Sequence, residues 1–234
     1  LAEPTAWNEP GHDCVLCPPL RFRFNGMAGL PGEAGVIAGD RDFLLIPDVA
    51  PLADGHVLLM TRDHHQCAGD FGREMWARAL WWRDRVARLY RAAYGTGELL
   101  LFEHGPASPQ GGGACIDHAH WHLIPGTPGV RAVVEREGWP GAPADRATLR
   151  AYYRTGRSYL LIEEGGVATV HPGDGVRSQF LRWAVTATRH DRTWRWQETF
   201  GLPGSRRRFL RTLTAMRAAA AALPDADQPP DSHQ

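Results

Sequence analysis

The sequence contains no lysine; all 26 basic residues are arginine. That absence excludes a phosphate loop ending in Gly-Lys-Ser or Gly-Lys-Thr. It also excludes a Schiff-base lysine for a carbonyl substrate or pyridoxal phosphate. A ligase that charges its own lysine is excluded with them. Any phosphate this chain holds must be held by arginine, backbone N–H groups, hydroxyls, histidine or a metal. Net charge is also absent, because 26 acidic residues cancel the 26 arginines. Strong nonspecific nucleic-acid binding is therefore not expected. No run of about 18 apolar residues occurs, so no membrane span is expected. The first residues lack the charged-then-apolar order of a secretory signal, and a cytoplasmic location is expected. Four cysteines in 234 residues are too few for a disulfide scaffold.

What is present suffices for a normal core, since 43% of the residues are hydrophobic. The length suits one large domain or two small ones. Strands are expected over 21–24, 35–38, 43–46, 56–60, 98–102 and 116–124. A long helix is expected over about 70–94, where Met75, Ala79, Trp82, Val86, Leu89 and Ala93 form one apolar stripe. Asp70 is expected to cap its start and Gly95 its end. After Pro125-Gly126-Thr127-Pro128-Gly129 the composition shifts. A strand is expected near 130–134, a helix near 144–153, and a hairpin of 158–163 with 167–170 across Gly165-Gly166. Helices near 177–190 and 205–222 follow, with Trp194 and Trp196 expected in the core. The polar, Pro-rich residues from Pro224 onward are expected to be disordered. These divisions give a core over 1–128, an extension over 129–223 and a tail over 224–234. The fold class is α+β, an antiparallel sheet with one long helix and an α/β extension.

The sharpest feature is Asp117-His118-Ala119-His120-Trp121-His122-Leu123-Ile124-Pro125. Strand side chains alternate with period two, about 7 Å between like-facing neighbours. His118, His120 and His122 should therefore face one side, with Ala119, Trp121 and Leu123 under the long helix. Neutral imidazoles coordinate metals, shuttle protons or attack phosphorus. A second feature is Cys14-x-x-Cys17, which reads as metal or redox chemistry. Pro18-Pro19 follows at once, unlike the helix that usually follows a redox pair.

The histidine run resembles the signature of the histidine triad (HIT) superfamily of nucleotidyl hydrolases and transferases. The resemblance covers roughly residues 13–126. Asp13-Cys14-Val15-Leu16-Cys17 is similar to the Cys pair of zinc-containing members. Pro47-Asp48, then Gly55-His56-Val57-Leu58-Leu59-Met60-Thr61-Arg62-Asp63-His64, resembles the family's ribose-binding aspartate and its Gly-His segment. The resemblance implies a HIT-like fold and cleavage at the α-phosphorus of a nucleoside phosphate conjugate. His120 would be the nucleophile and form a nucleotidyl-histidine intermediate. His122 would assist the phosphate or leaving oxygen, and the His118 carbonyl would orient the His120 ring. Histidine at the third triad position favours hydrolysis over transfer. Asp48 would accept from ribose hydroxyls. Glu103, Ser108 and Gly113 are candidate substrate contacts, as are Arg177 and Ser178 at an extension helix start. Ser178 could instead be a plain N-cap. Arg206-Arg207-Arg208, where cations oppose a helix dipole, suggests a partner anion or a solvated face. Cys14, Cys17, His64 and His118 would close a structural zinc site, with His65 as the alternative to His64. The chain departs from the family at Glu103-His104-Gly105, at Ala114-Cys115 and at Arg62 in place of a lysine. Three other readings stay open. The histidines could hold a catalytic metal, or the chain could be a non-catalytic nucleotide-binding module. It could also be an enzyme repurposed for a phosphate ester in specialised metabolism. The expected partner is a nucleotide-type or phosphorylated small molecule, with homodimers possible.

Overall fold

The computed structural model describes residues 14–18, 21, 26, 28–106, 116–189 and 193–223. It is a mixed structure of helices around one antiparallel sheet. The strands are β1 (Ala38–Gly39), β2 (Phe43–Pro47), β3 (Val57–Thr61), β4 (Leu99–Gly105), β5 (His120–Pro125), β6 (Ala142–Pro143), β7 (Tyr159–Glu164) and β8 (Val167–Pro172). Their order is β1-β2-β3-β5-β4-β7-β8-β6, and every pairing is antiparallel. The strands after residue 129 thus continue the same sheet from the edge of β4. The longer helices are α1 (Arg73–Tyr94), α2 (Val130–Arg136), α3 (Arg146–Arg154), α4 (Phe180–Thr188) and, beyond the short α5 (Trp196–Thr199), α6 (Pro203–Ala222). No helix among the described residues is long and apolar enough to cross a membrane.

Period-two alternation gives the sheet two apolar faces. One face carries Leu59, Trp121, Leu123, Leu101 and Leu161 and packs against Trp82, Val86 and Leu89 of α1. Phe209, Leu213 and Met216 of α6 join that core. The other face carries Leu100, Phe102, Ile124, Leu160 and Ile162 and packs against Val130 and Val134 of α2 and Phe180, Leu181 and Val185 of α4.

The expected stripe of α1 is buried, but Gly72, not Asp70, stands at its N-cap. Asp70 instead accepts from His65 Nδ1 at 3.0 Å. Gly95 ends the helix at φ 75°, where a side chain would be strained. The strand expected near 130–134 is the helix α2. Its first N–H groups, on Gly129, Val130 and Arg131, are met by the Glu164 carboxylate from β7. That tertiary cap overrides the strand preference of three valines. Arg21 lies in a helical turn rather than a strand; residues 22–25 and the tail from 224 lie outside the described residues. Arg206 donates to the Ala28 carbonyl and Arg208 to the Pro51 carbonyl. Those two cations therefore tie α6 to the core instead of awaiting a partner anion.

Candidate active site and metal centre

β5 pairs with β3 so that His122 faces Leu58 and His120 faces Met60 across the ladder. Alternation therefore sends both rings to the face opposite α1. The His122 ring stacks on Phe102, with centroids 4.5 Å apart and planes 9° from parallel. His118 does not share this face. It precedes the strand in a bend, and its ring turns to the cysteines. The expected three-histidine row is thus two histidines, because the period-two rule stops where the strand stops.

The His118 carbonyl does orient His120, accepting from its Nδ1 at 2.6 Å. That bond places the proton on Nδ1 and leaves the Nε2 lone pair open toward a cleft. Burial lowers the His120 pKa, against the raising effect of that carbonyl. His122 is set by a relay. The Leu52 N–H donates to His56 Nδ1 at 3.1 Å, so His56 carries its proton on Nε2. His56 Nε2 lies 3.0 Å from His122 Nδ1, which must then accept. His122 therefore carries its own proton on Nε2. Burial drives His122 down to about 4 and His56 well below its ordinary value. All three rings are neutral at physiological pH. The sequence reading passed over His56 as a site residue; its only signal was the Gly55-His56 dipeptide.

Val15, Val49, Leu58, Ile116, Trp196 and Phe200 form the cleft's apolar wall, beside His120, His122, Asp48 and Arg182. It encloses about 250 Å³, small for a ligand pocket. Asp48 sits at its floor, 4% exposed. Its Oδ1 accepts from the Ala50 N–H at 2.6 Å and its Oδ2 from Arg182 Nη1 at 2.9 Å. Burial alone would raise the Asp48 pKa, but Arg182, His56 and His122 hold it well below the carboxylate range. Arg182 was visible only as one arginine in an apolar helix segment. Trp194 and Trp196, expected in the core, are half-buried, and Trp196 is a wall of the cleft.

The other candidate contacts are scattered. Glu103 lies on the α1 face of β4, 3% exposed, the wrong side of the sheet for His120. Its carboxylate is taken by the Ala68 N–H and the Tyr159 hydroxyl, at 2.9 and 2.6 Å. Burial pushes that carboxyl up to about 7. Arg177 stacks over Trp183, 4.6 Å from the ring centroid. Ser178 is exposed and does not cap α4, whose N-cap is Gln179 at φ 62°. Neither residue lines the cleft. Arg62 donates to the Asp40 carbonyl. Ser108 and Gly113 lie outside the described residues, as do Ala114 and Cys115.

Behind the triad strand, Cys14, Cys17, His64 and His118 bring one ligand atom each within 4.8 Å of one another. His118 Nδ1 is 3.4 Å from both sulfurs, and His64 Nδ1 is 3.4 Å from Cys17 Sγ. Usual zinc–sulfur and zinc–nitrogen bond lengths give tetrahedral edges of about 3.5 Å, so the donor set fits zinc. The far nitrogen of His118 lies 2.8 Å from the Thr61 carbonyl, the outer hydrogen bond that orients a ligating imidazole. Burial, then neighbouring Cys14, pushes the Cys17 thiol up to about 12. A cation there would reverse that and hold the thiolate. His65 is paired with Asp70, and it is His64 that stands beside Cys17. The His118 ring turns to the cysteines while His120 and His122 line the cleft, so the three histidines do not converge on one point. Asp48, His56 and His122 also cluster, but the Arg182 guanidinium at Asp48 opposes a second cation there.

No protein-family model matches the sequence, and no curated protein matches it. Solved structures do match. The chain is similar in structure to histidine triad proteins. A zinc-bound histidine triad family protein from Mycobacterium smegmatis is 25% identical, with 61% of this chain and 94% of that chain covered, at a TM-score of 0.36. A HIT-like protein from Bartonella henselae is 21% identical over 39% of this chain, at a TM-score of 0.34. Yeast Ap4A phosphorylase in complex with Ap4A is 14% identical over 66% of this chain, at 0.36. The matches span 65% of the length of both the Bartonella and the yeast chains. At TM-scores this low the likeness carries no weight for the chemistry, which must come from this chain's own side chains.

Proposed function

We propose that this chain is a HIT-type enzyme that cleaves a nucleoside phosphate conjugate at its α-phosphorus through His120. The observation that carries this reading is the His120 ring, held at Nδ1 by the His118 carbonyl and open at Nε2 to the cleft. The Nε2 lone pair attacks phosphorus, and the bond from phosphorus to the leaving group breaks. The departing oxygen takes that electron pair and accepts a hydrogen bond from the neutral His122 Nε2–H, while the proton it finally carries comes from solvent. Water then attacks the nucleotidyl-histidine, the N–P bond breaks and the nucleotide leaves. Splitting one displacement into two is the gain of a covalent route. Hydrolysis is favoured over transfer. Dinucleoside polyphosphates, nucleotide sugars, phosphoramidates and acyl adenylates all present the required bond. Mass spectrometry after incubation with such a panel tests the reading: a nucleotidyl mass on His120 is expected. Turnover with no histidine adduct on any time scale would refute the covalent route.

The pH profile should follow from the buried imidazoles. The His120 pKa lies below its ordinary 6.5, so the nucleophilic neutral form persists as pH falls past that value. It is lost only when pH drops through the lowered value. We expect kcat/KM to hold level from mildly alkaline pH down to 6.5, with the acid limb below it. An acid limb centred above 6.5 would show a more exposed or carboxylate-paired nucleophile.

We further propose that Cys14, Cys17, His64 and His118 hold a structural zinc, with all four positions filled by protein. It would pin the N-terminal segment beside the strand that carries His120. Metal analysis should find one zinc per chain in wild type and in His120→Ala. Cys14→Ser should lose it. Zinc that survives Cys14→Ser but leaves with His120→Ala would place the ion at the triad instead.

A further inference from the structure

The proposed chemistry gives Arg182 no task, yet it is among the most buried arginines described, 4% exposed at the cleft wall. All three of its nitrogens are committed. Nη1 donates to Asp48 Oδ2 at 2.9 Å, Nη2 to the Ala50 carbonyl, and Nε to the Trp194 carbonyl at 3.1 Å. Its partner Asp48 is the only carboxylate lining the cleft among the described residues. One oxygen of Asp48 is bound by the Ala50 N–H at 2.6 Å. The other, besides Arg182, faces His56 Nε2 and His122 Nδ1 at 3.5 Å each. A sugar hydroxyl could take Oδ2 only by displacing Arg182, and otherwise has just the second lone pair of Oδ1, beside the Ala50 N–H. The displaced guanidinium cannot deprotonate and would be left buried without its counter-charge, with only two backbone carbonyls as partners, a loss larger than one hydroxyl hydrogen bond returns.

The rest of the wall offers a different grip. Val15, Val49, Leu58 and Ile116 are apolar, and Trp196 and Phe200 stand 5.6 Å apart between ring centroids. The Trp196 main chain is held at the start of α4, because its backbone N–H donates to Oε1 of the N-cap Gln179 at 2.9 Å. The stretch from Arg182 to Phe200 therefore both engages the one carboxylate lining the cleft among the described residues and supplies aromatic surface for a flat ring.

We infer that Arg182 is a specificity-determining residue that makes the cleft indifferent to the ribose hydroxyls, so that ribo- and 2′-deoxyribonucleotides are accepted alike. This rests on the nucleotide reading above. Recognition then comes from the ring against the apolar wall and from the phosphorus at His120.

The test is equilibrium binding of wild-type protein to the ribo- and 2′-deoxyribonucleoside 5′-monophosphates of adenine, guanine, cytosine and uracil or thymine. For the base that binds best, ribo and deoxy affinities should agree within about threefold. A hydrogen bond to a charged group is worth about tenfold or more. A ribo preference of that size would overturn the inference and leave the nucleotide reading standing. No binding by any member would overturn both. Arg182→Met supplies the second arm. Where circular dichroism shows it folded, release of Asp48 should create a ribo preference of about tenfold. A folded variant with no such preference overturns the role of Arg182, and the wild-type ratio decides the matter if the variant fails to fold.

Discussion

Replacing His120 with alanine is expected to lower turnover by about 10³-fold or more and to leave the fold intact. The ring touches two features that survive its removal. The His118 carbonyl it holds can take water at the cleft, and its neighbour His122 remains stacked on Phe102 and bonded to His56. Lost instead is the lone pair at Nε2, for which no other group on the cleft among the described residues substitutes. His122 Nε2 carries a proton in this network, and Asp48 is bound to Arg182. His122→Ala should be milder, about 10²-fold, because it removes one hydrogen bond to the leaving oxygen and leaves the nucleophile in place. The ordering can be read from single-turnover rates on one substrate, with zinc content measured alongside. His120→Ala retaining more than a tenth of wild-type turnover would mean that another group makes the bond to phosphorus.

The pair His120 and His122 could be read from the sequence because a strand has only two faces. His118 could not, because its direction depends on where β5 begins, and Cys14 and Cys17 reach it from more than a hundred residues away. The grouping of Cys14, Cys17, His64 and His118 was legible through resemblance, while the choice between His64 and His65 needed the Cys17 contact of one and the Asp70 contact of the other. The α1 stripe and its Gly95 cap are local signals and appear where expected. The valines of α2 misled because a carboxylate from β7 caps that helix. Glu103, a candidate substrate contact, turns away from the cleft. Its neighbour Phe102 takes the cleft side, so alternation turns Glu103 to the Tyr159 side. Arg182 was the hardest to read, since it meets Asp48 across 134 residues of chain. Nothing local to either residue announces the pair.

That pair carries the largest expected effect on stability. Asp48→Ala should destabilise the protein by about 3–5 kcal/mol, the usual consequence of removing one partner of a buried ion pair. In a chain of this size, that corresponds to a fall in Tm of about 6–20 °C. The two partners are not equivalent. Arg182 cannot shed its proton inside the protein, so without Asp48 a full charge stays buried with two backbone carbonyls for company. Asp48 without Arg182 can draw on the His56 Nε2–H, 3.5 Å from its Oδ2, or take a proton. Arg182→Met should therefore be less damaging than Asp48→Ala, by about 1–2 kcal/mol. The double variant Asp48→Leu with Arg182→Met should be more stable than the sum of the single losses, since it leaves neither charge behind. The pH dependence has a fixed sign. The folded-state pKa of Asp48 is lowered, so its contribution is full above the unfolded value and is lost as pH falls through the folded one. Arg182→Met should weaken that dependence by removing the largest charge holding the carboxylate ionised. Thermal unfolding of the four proteins across the acid range measures all of this. An Asp48→Ala variant that melts with wild type, or single losses that add without coupling, would mean that the charges are solvated and the cleft floor is open to water.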